Sequence, residues 1–166
     1  MKRLIFAGAL ALSLGACTPT GTVNTTQAIA DANIVVSGIA ADYRVFVQLY
    51  PAAIPPTQQV AVNAALTAAQ SALAQLSNAS TTATGLQAVE DDVNVAIGVL
   101  TQACQSLACP TSVSAGLMAA NVLLPLIEIV VNEMNGKTPA PKVAAFMAPT
   151  TMTPAQARLI LTAAKR

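Results

Sequence analysis

The residues able to do chemistry in this chain form an uneven set. There are three cysteines, Cys17, Cys104 and Cys109, and no histidine. Without His there is no ordinary Ser/His or Cys/His nucleophile and no His-based metal site. Acid–base work would fall to the seven carboxylates: Asp31, Asp42, Glu90, Asp91, Asp92, Glu128 and Glu133. A glycosidase needs two of these facing one cleft. Their positions read instead as solvated faces or as partners of helix dipoles. Glu90-Asp91-Asp92 is the one dense cluster. Consecutive helical residues point about 100° apart, so the three do not converge on a metal, and near a helix start they suit its positive end. There is no P-loop and no GxGxxG. The expectation is a non-catalytic protein with no cofactor and no metal.

Cys17 differs in kind from the other two cysteines. Lys2 and Arg3 open the chain with positive charge, Leu4 to Leu14 form an apolar run too short to span a bilayer, and Leu14-Gly15-Ala16-Cys17 ends it. This start resembles the bacterial lipoprotein signal peptide with its lipobox. The resemblance covers the first seventeen residues and implies removal of residues 1–16, acylation of Cys17 and a membrane anchor. Each buried methylene contributes roughly 0.8 kcal/mol, and stable anchoring takes at least two chains, which lipoprotein processing supplies. In that family Asp after the cysteine favours retention in the inner membrane. Thr18 stands there, which implies the outer membrane, periplasmic side. Residues 17–23, with Pro19 and Gly21, then read as the lipidated Cys and a tether reaching roughly 20 Å at about 3.4 Å per residue.

Composition narrows the rest. Loss of Lys2 and Arg3 leaves six basic residues against seven acidic ones. With no basic patch, nucleic acid is excluded as a partner. Only 9% of residues are charged and 54% are hydrophobic, too apolar for disorder. Once Cys17 is acylated, Cys104 and Cys109 are an even pair in an oxidising compartment, so a disulfide is expected. Their spacing does not fit CxxC, and two cysteines without His make no zinc site.

The elements that position these residues are all helical. Asn24 with Gln27 three residues later forms a loose capping box. Ile29, Ala32, Val36, Ile39, Tyr43, Phe46 and Tyr50 then recur in steps of three and four until Pro51 ends the helix. Three of the five aromatics lie on this stripe. They read as core, with an aromatic-lined ligand or partner surface at Tyr43, Phe46 and Tyr50 as the alternative. A second helix opens at Pro55-Pro56-Thr57 and carries Val62, Leu66, Ala69, Leu73 and Leu76. After a polar turn over residues 78–82, Thr84-x-x-Gln87 reads as the next capping box. The third helix carries Leu86, Val89, Val93, Ala96, Leu100, Ala103 and Leu107 to about Cys104 or just beyond.

The fourth helix, residues 111–135, is the most apolar, with Val113, Leu117, Ala120, Leu124, Ile127, Val131 and Met134 on its stripe. Ser114, Asn121, Pro125, Glu128, Asn132 and Asn135 leave a thin polar line, on which Asn121 and Glu128 are further candidates for a partner surface. Its length suits a membrane span, but Glu128 near the centre would cost roughly 2.5–3.5 kcal/mol there, so a central bundle helix is the better reading. Pro139 to Thr151 reads as irregular and Pro-rich, with at most one short helical piece around residues 143–147. Thr153-Pro154-Ala155-Gln156 is a sharp start for a last helix.

No strand alternation occurs. The expected fold is all-α: an up-and-down antiparallel bundle of four main helices plus a C-terminal one, a single domain over 24–166 behind the signal peptide. The expected role is a non-catalytic structural or interaction module of the cell envelope, held to the membrane through Cys17 beside an unidentified envelope protein. The alternatives are a carrier of a lipid or other apolar molecule in the bundle interior, or a protein that inserts helix 111–135 into the membrane.

Overall fold

In the computed structural model, residues 24–76, 82–136 and 152–164 are described. The expectations for the signal peptide, Cys17 and the tether, for the polar turn after the second helix and for the segment 139–151 fall largely or wholly outside them. Five helices follow in order: α1 Thr25–Leu49, α2 Pro56–Leu76, α3 Thr82–Ser106, α4 Thr111–Met134 and α5 Pro154–Ala164. The protein is all-α, and no strand occurs among the described residues.

Local chemistry sets the boundaries. The Asn24 side chain accepts the Gln27 backbone N–H at 2.9 Å and caps α1, and α1 stops just before Pro51. Prolines tolerate a first helical turn and break what precedes them, so Pro56 opens α2 and Pro154 opens α5. At α5 the capping box is complete. Gln156 N–H donates to Thr153 Oγ1 at 3.3 Å, and Thr153 N–H donates to Gln156 Oε1 at 2.8 Å. Gly136 takes φ +65° just past α4, the left-handed turn that glycine makes without steric cost.

One start differs from expectation. α3 begins at Thr82, two residues ahead of Thr84. The side chain of Gln87 is directed along the helix to Asp91 Oδ1, at 3.4 Å, and not back onto a cap. Glu90, Asp91 and Asp92 are therefore beyond the first turn, which holds no acidic residue. Helix-dipole stabilisation fades within that first turn, so it does not explain the cluster.

The four long helices run up, down, up and down. The end of α2 meets the start of α3 where Leu76 lies against Gly85, and the late part of α1 meets the early part of α4 where Asp42 lies against Gly116. Tyr50, just past α1, donates its hydroxyl to the Ala108 carbonyl just past α3 at 3.0 Å, so these two helices end together. α5 lies against α1 and α4. α1 touches all four other helices.

The expected stripes become one continuous core. All five stripe residues of α2 are buried, as are Ala32, Val36, Ile39, Tyr43 and Phe46 of α1. Leu107 and Met134, at the last steps of their stripes, lie exposed. The surface is unusually poor in charge, and hydroxyls on it turn inward to their own helices. Thr67 Oγ1 donates to the Asn63 carbonyl at 2.7 Å and Ser71 Oγ to that of Thr67 at 2.9 Å.

Candidate functional site

The polar interior is built on α1. Besides the expected stripe, this helix carries a second one with the same spacing: Ala28, Asp31, Val35, Gly38 and Asp42, all buried. A helix packed on four others needs more than one buried face, and this second face holds two carboxylates. Asp31 is 2% exposed and Asp42 1%, so neither belongs to the solvated surface that their isolation in the sequence implies.

Asp31 has partners. Arg158 of α5 donates Nε to Oδ1 at 2.6 Å and Nη2 to Oδ2 at 2.8 Å. This two-pronged geometry is what the planar guanidinium offers a carboxylate. Gln27 Nε2 adds a third bond at 2.9 Å. Two turns further along the same face, Gly38 lets Leu161 of α5 approach, where an added Cβ would meet Leu161 Cδ2 at 2.6 Å.

Asp42 has none. Its Oδ2 is buried without a hydrogen-bond partner and lies over Gly116 of α4, where a Cβ would fall on the carboxylate itself. Burial pushes this carboxyl up to about 7. Glu90 of α3 is the second such group. Its Oε2 is buried and unpartnered, and the carboxyl is pushed up to about 7 by burial first, then by the negative charges of Glu128 on α4 and Asp91 beside it. Asp92 is also raised, by burial and then by Asp91.

The chain matches no protein-family model, no curated protein and no solved structure. Its site is read from its own residues.

Tyr43 and Phe46 lie inside the core, with Tyr43 donating its hydroxyl to the Gln59 carbonyl at 3.4 Å. Tyr50 is partly buried, and its ring centroid is 5.2 Å from that of Phe46 in a tilted contact. Asn121 is exposed and Glu128 half-buried, two turns apart on α4 with Pro125 between them. Cys104 and Cys109 lie at disulfide distance, with Cα atoms 4.7 Å apart, and fasten the end of α3 to the start of α4.

These residues do not converge on one centre. Tyr50 and the cysteine pair meet at the α3–α4 turn through Ala108, whereas Glu128, further along α4, acts on Glu90 through its negative charge. Of the polar groups that matter most to the interior, Asp31, Asp42, Glu90 and Arg158, the sequence offers Glu90 as part of a dense cluster and the two aspartates as isolated carboxylates, and it gives no sign of Arg158. The available signal was spacing: Asp31 and Asp42 keep step with Ala28, Val35 and Gly38. What the arrangement supplies is one tightly held ion pair and two carboxyls for which the neutral form is favoured.

Proposed function

We propose that this chain is a lipid-anchored accessory module of the bacterial cell envelope, acting by binding protein rather than by catalysis. The observation that carries the reading is Leu14-Gly15-Ala16-Cys17 at the end of a short apolar run behind Lys2-Arg3. Acylated Cys17 would hold the bundle to the periplasmic face of the outer membrane, with Thr18 favouring that membrane. The tether of six residues before Asn24 keeps the bundle within roughly 20 Å of the surface. A bundle whose two buried acidic residues, Asp31 and Asp42, lie at helix–helix contacts fits a scaffold better than an enzyme.

The test is expression of the full chain in a bacterial host fed an alkyne-bearing palmitate, beside a Cys17→Ser variant. Wild-type protein that carries the label, starts at Cys17 and partitions with outer membranes supports the anchor. An unlabelled protein cut elsewhere overturns it. In-cell crosslinking of the two forms then separates roles: an envelope protein recovered only with the anchored form supports the interaction module, and its absence counts against it.

One observation favours a second reading. α4 has 24 residues and a mean hydropathy of 1.9 over its most apolar window, enough by length and composition to cross a membrane. Half of that window is buried within the bundle, as expected of a core helix. Insertion of the Cys17→Ser protein into liposomes would support this reading over the first.

A further inference from the structure

Among the described residues, two side-chain oxygens are buried without a hydrogen-bond partner, Asp42 Oδ2 and Glu90 Oε2. Both belong to helices packed on α4. Asp42 reaches α4 at Gly116, and Glu90 lies on α3, which packs on α4, within reach of the negative charge of Glu128. The two positions on α4 are twelve residues apart, about 18 Å along the axis at 1.5 Å per residue. α4 is thus met by one unpartnered acid near its start and another towards its end.

Among the described residues, no cation is at hand to hold either group as a carboxylate. The described residues include two basic ones. Arg44, on α1 itself, is exposed, and Arg158, on α5, is engaged by Asp31. α2 carries no charged residue, and the charges of α4 are Glu128 and Glu133. No charge from any packed helix shifts Asp42, whose one perturbation is burial. At Glu90 the neighbouring charges, Glu128 and Asp91, are both negative. Ionisation is strongly disfavoured at Asp42, which is fully buried, and disfavoured at the buried end of the half-buried Glu90, whereas the neutral acid has no charge to solvate.

We propose that α4 is an acid-latched helix: Asp42 on α1 and Glu90 on α3 must be protonated for α4 to seat fully, and their ionisation loosens α4 as the pH rises. The inference rests on the fold and not on the anchor.

The direction follows from linkage. Both groups have folded-state values near 7, above the 3.8 and 4.5 of the free side chains. The folded protein therefore binds more protons than the unfolded chain across that interval. The stability these groups contribute is fully present below the lower values and is lost as the pH climbs through about 7. Loosening exposes Leu123, Leu124, Ile127, Val130 and Val131, the buried side of the helix whose composition fits a membrane. This is the reverse of acid-triggered insertion: acid holds α4 in, and alkali lets it out.

The test is hydrogen exchange of the purified full chain at about pH 5 and about pH 9, corrected for intrinsic exchange rates, since a group one unit past its midpoint shifts an equilibrium about tenfold. α4 should lose at least tenfold more protection than α2, which does not touch it. The Asp42→Asn/Glu90→Gln variant, permanently neutral at both positions, should abolish that difference. Equal loss in α2 and α4, or an unchanged difference in the variant, overturns the proposal. Carboxyl carbon NMR on the wild-type protein needs no variant to fold. Midpoints above 6 for Asp42 and Glu90 support the latch, and midpoints in the ordinary carboxylate range overturn it.

Discussion

Arg158 and Asp31, 127 residues apart in sequence, form a two-pronged ion pair that ties the C-terminal helix to the first. Asp31 is buried, and the Arg158 side chain is 30% exposed, so the pair sits at the seam between α1 and α5. Such a pair fixes position more than it adds stability, because the desolvation of the carboxylate offsets much of the attraction. Its loss is another matter, since a stranded buried charge is costly.

Replacing Arg158 with Leu leaves Asp31 with Gln27 as its one remaining partner. The expected loss is about 2–3 kcal/mol, towards the low end for a broken buried pair because the arginine is partly solvated. Adding Asp31→Leu in the same chain should restore most of it, as the uncompensated charge goes too. Urea unfolding of the single and double variants measures both steps. If the double variant is less stable than Arg158→Leu alone, the pair holds α5 by more than charge compensation.

The glycines of the bundle separate close packing from helix propensity. Gly98 on α3 has nothing within 4 Å of an added Cβ, so Gly98→Ala should gain about 0.8 kcal/mol from propensity alone. Gly116→Ala and Gly38→Ala receive the same gain but press a methyl onto the Asp42 carboxylate and onto Leu161. Overpacking of this kind costs about 1–3 kcal/mol, so both should be net destabilising. The order Gly98→Ala, wild type, then the other two is readable from thermal midpoints.

Much of this fold is legible in the sequence. The α2 stripe is buried at every expected step, and the Thr153-Pro154-Ala155-Gln156 start forms as its capping box implies. Those features depend on neighbours three or four residues away. The polar interior does not. One heptad stripe accounts for one buried face, whereas α1 touches four helices, and its second face looks interrupted because Asp31 and Asp42 stand in it. Asp31 becomes a good core residue only through Arg158, far along the chain, and Asp42 finds room only over the bare backbone of Gly116, without a partner for its carboxyl. The Glu90-Asp91-Asp92 cluster is not explained by the helix dipole, because it lies past the first turn whether the helix is counted from Thr84 or from its actual start at Thr82.

The N-terminal cap of α5 bears on how firmly that helix docks. Its eleven residues are too few to be stable alone, so the cap and the Asp31 contact act together. Thr153→Ala removes the side-chain acceptor for Gln156 N–H and should cost about 1 kcal/mol. Hydrogen exchange should rise in α5 well before it rises in α2. Uniform loss of protection across the bundle would mean that α5 unfolds only with the whole.

The far end of the bundle is fastened twice over, and the two fastenings differ in cost. Cys104 and Cys109 close a short loop between α3 and α4, for which chain entropy gives about 2 kcal/mol. Tyr50 bonds to Ala108 inside that loop, and Tyr50→Phe should cost about 1 kcal/mol by removing one donor. The two effects should not add. With the cysteines reduced, the carbonyl that Tyr50 meets is no longer held in place, so Tyr50→Phe should cost less in reductant than in air. Denaturant midpoints for wild type and Tyr50→Phe, each with and without reductant, give the coupling directly. Additive costs would show that the turn keeps its shape without the bridge, leaving the cysteine pair to act on the unfolded chain alone.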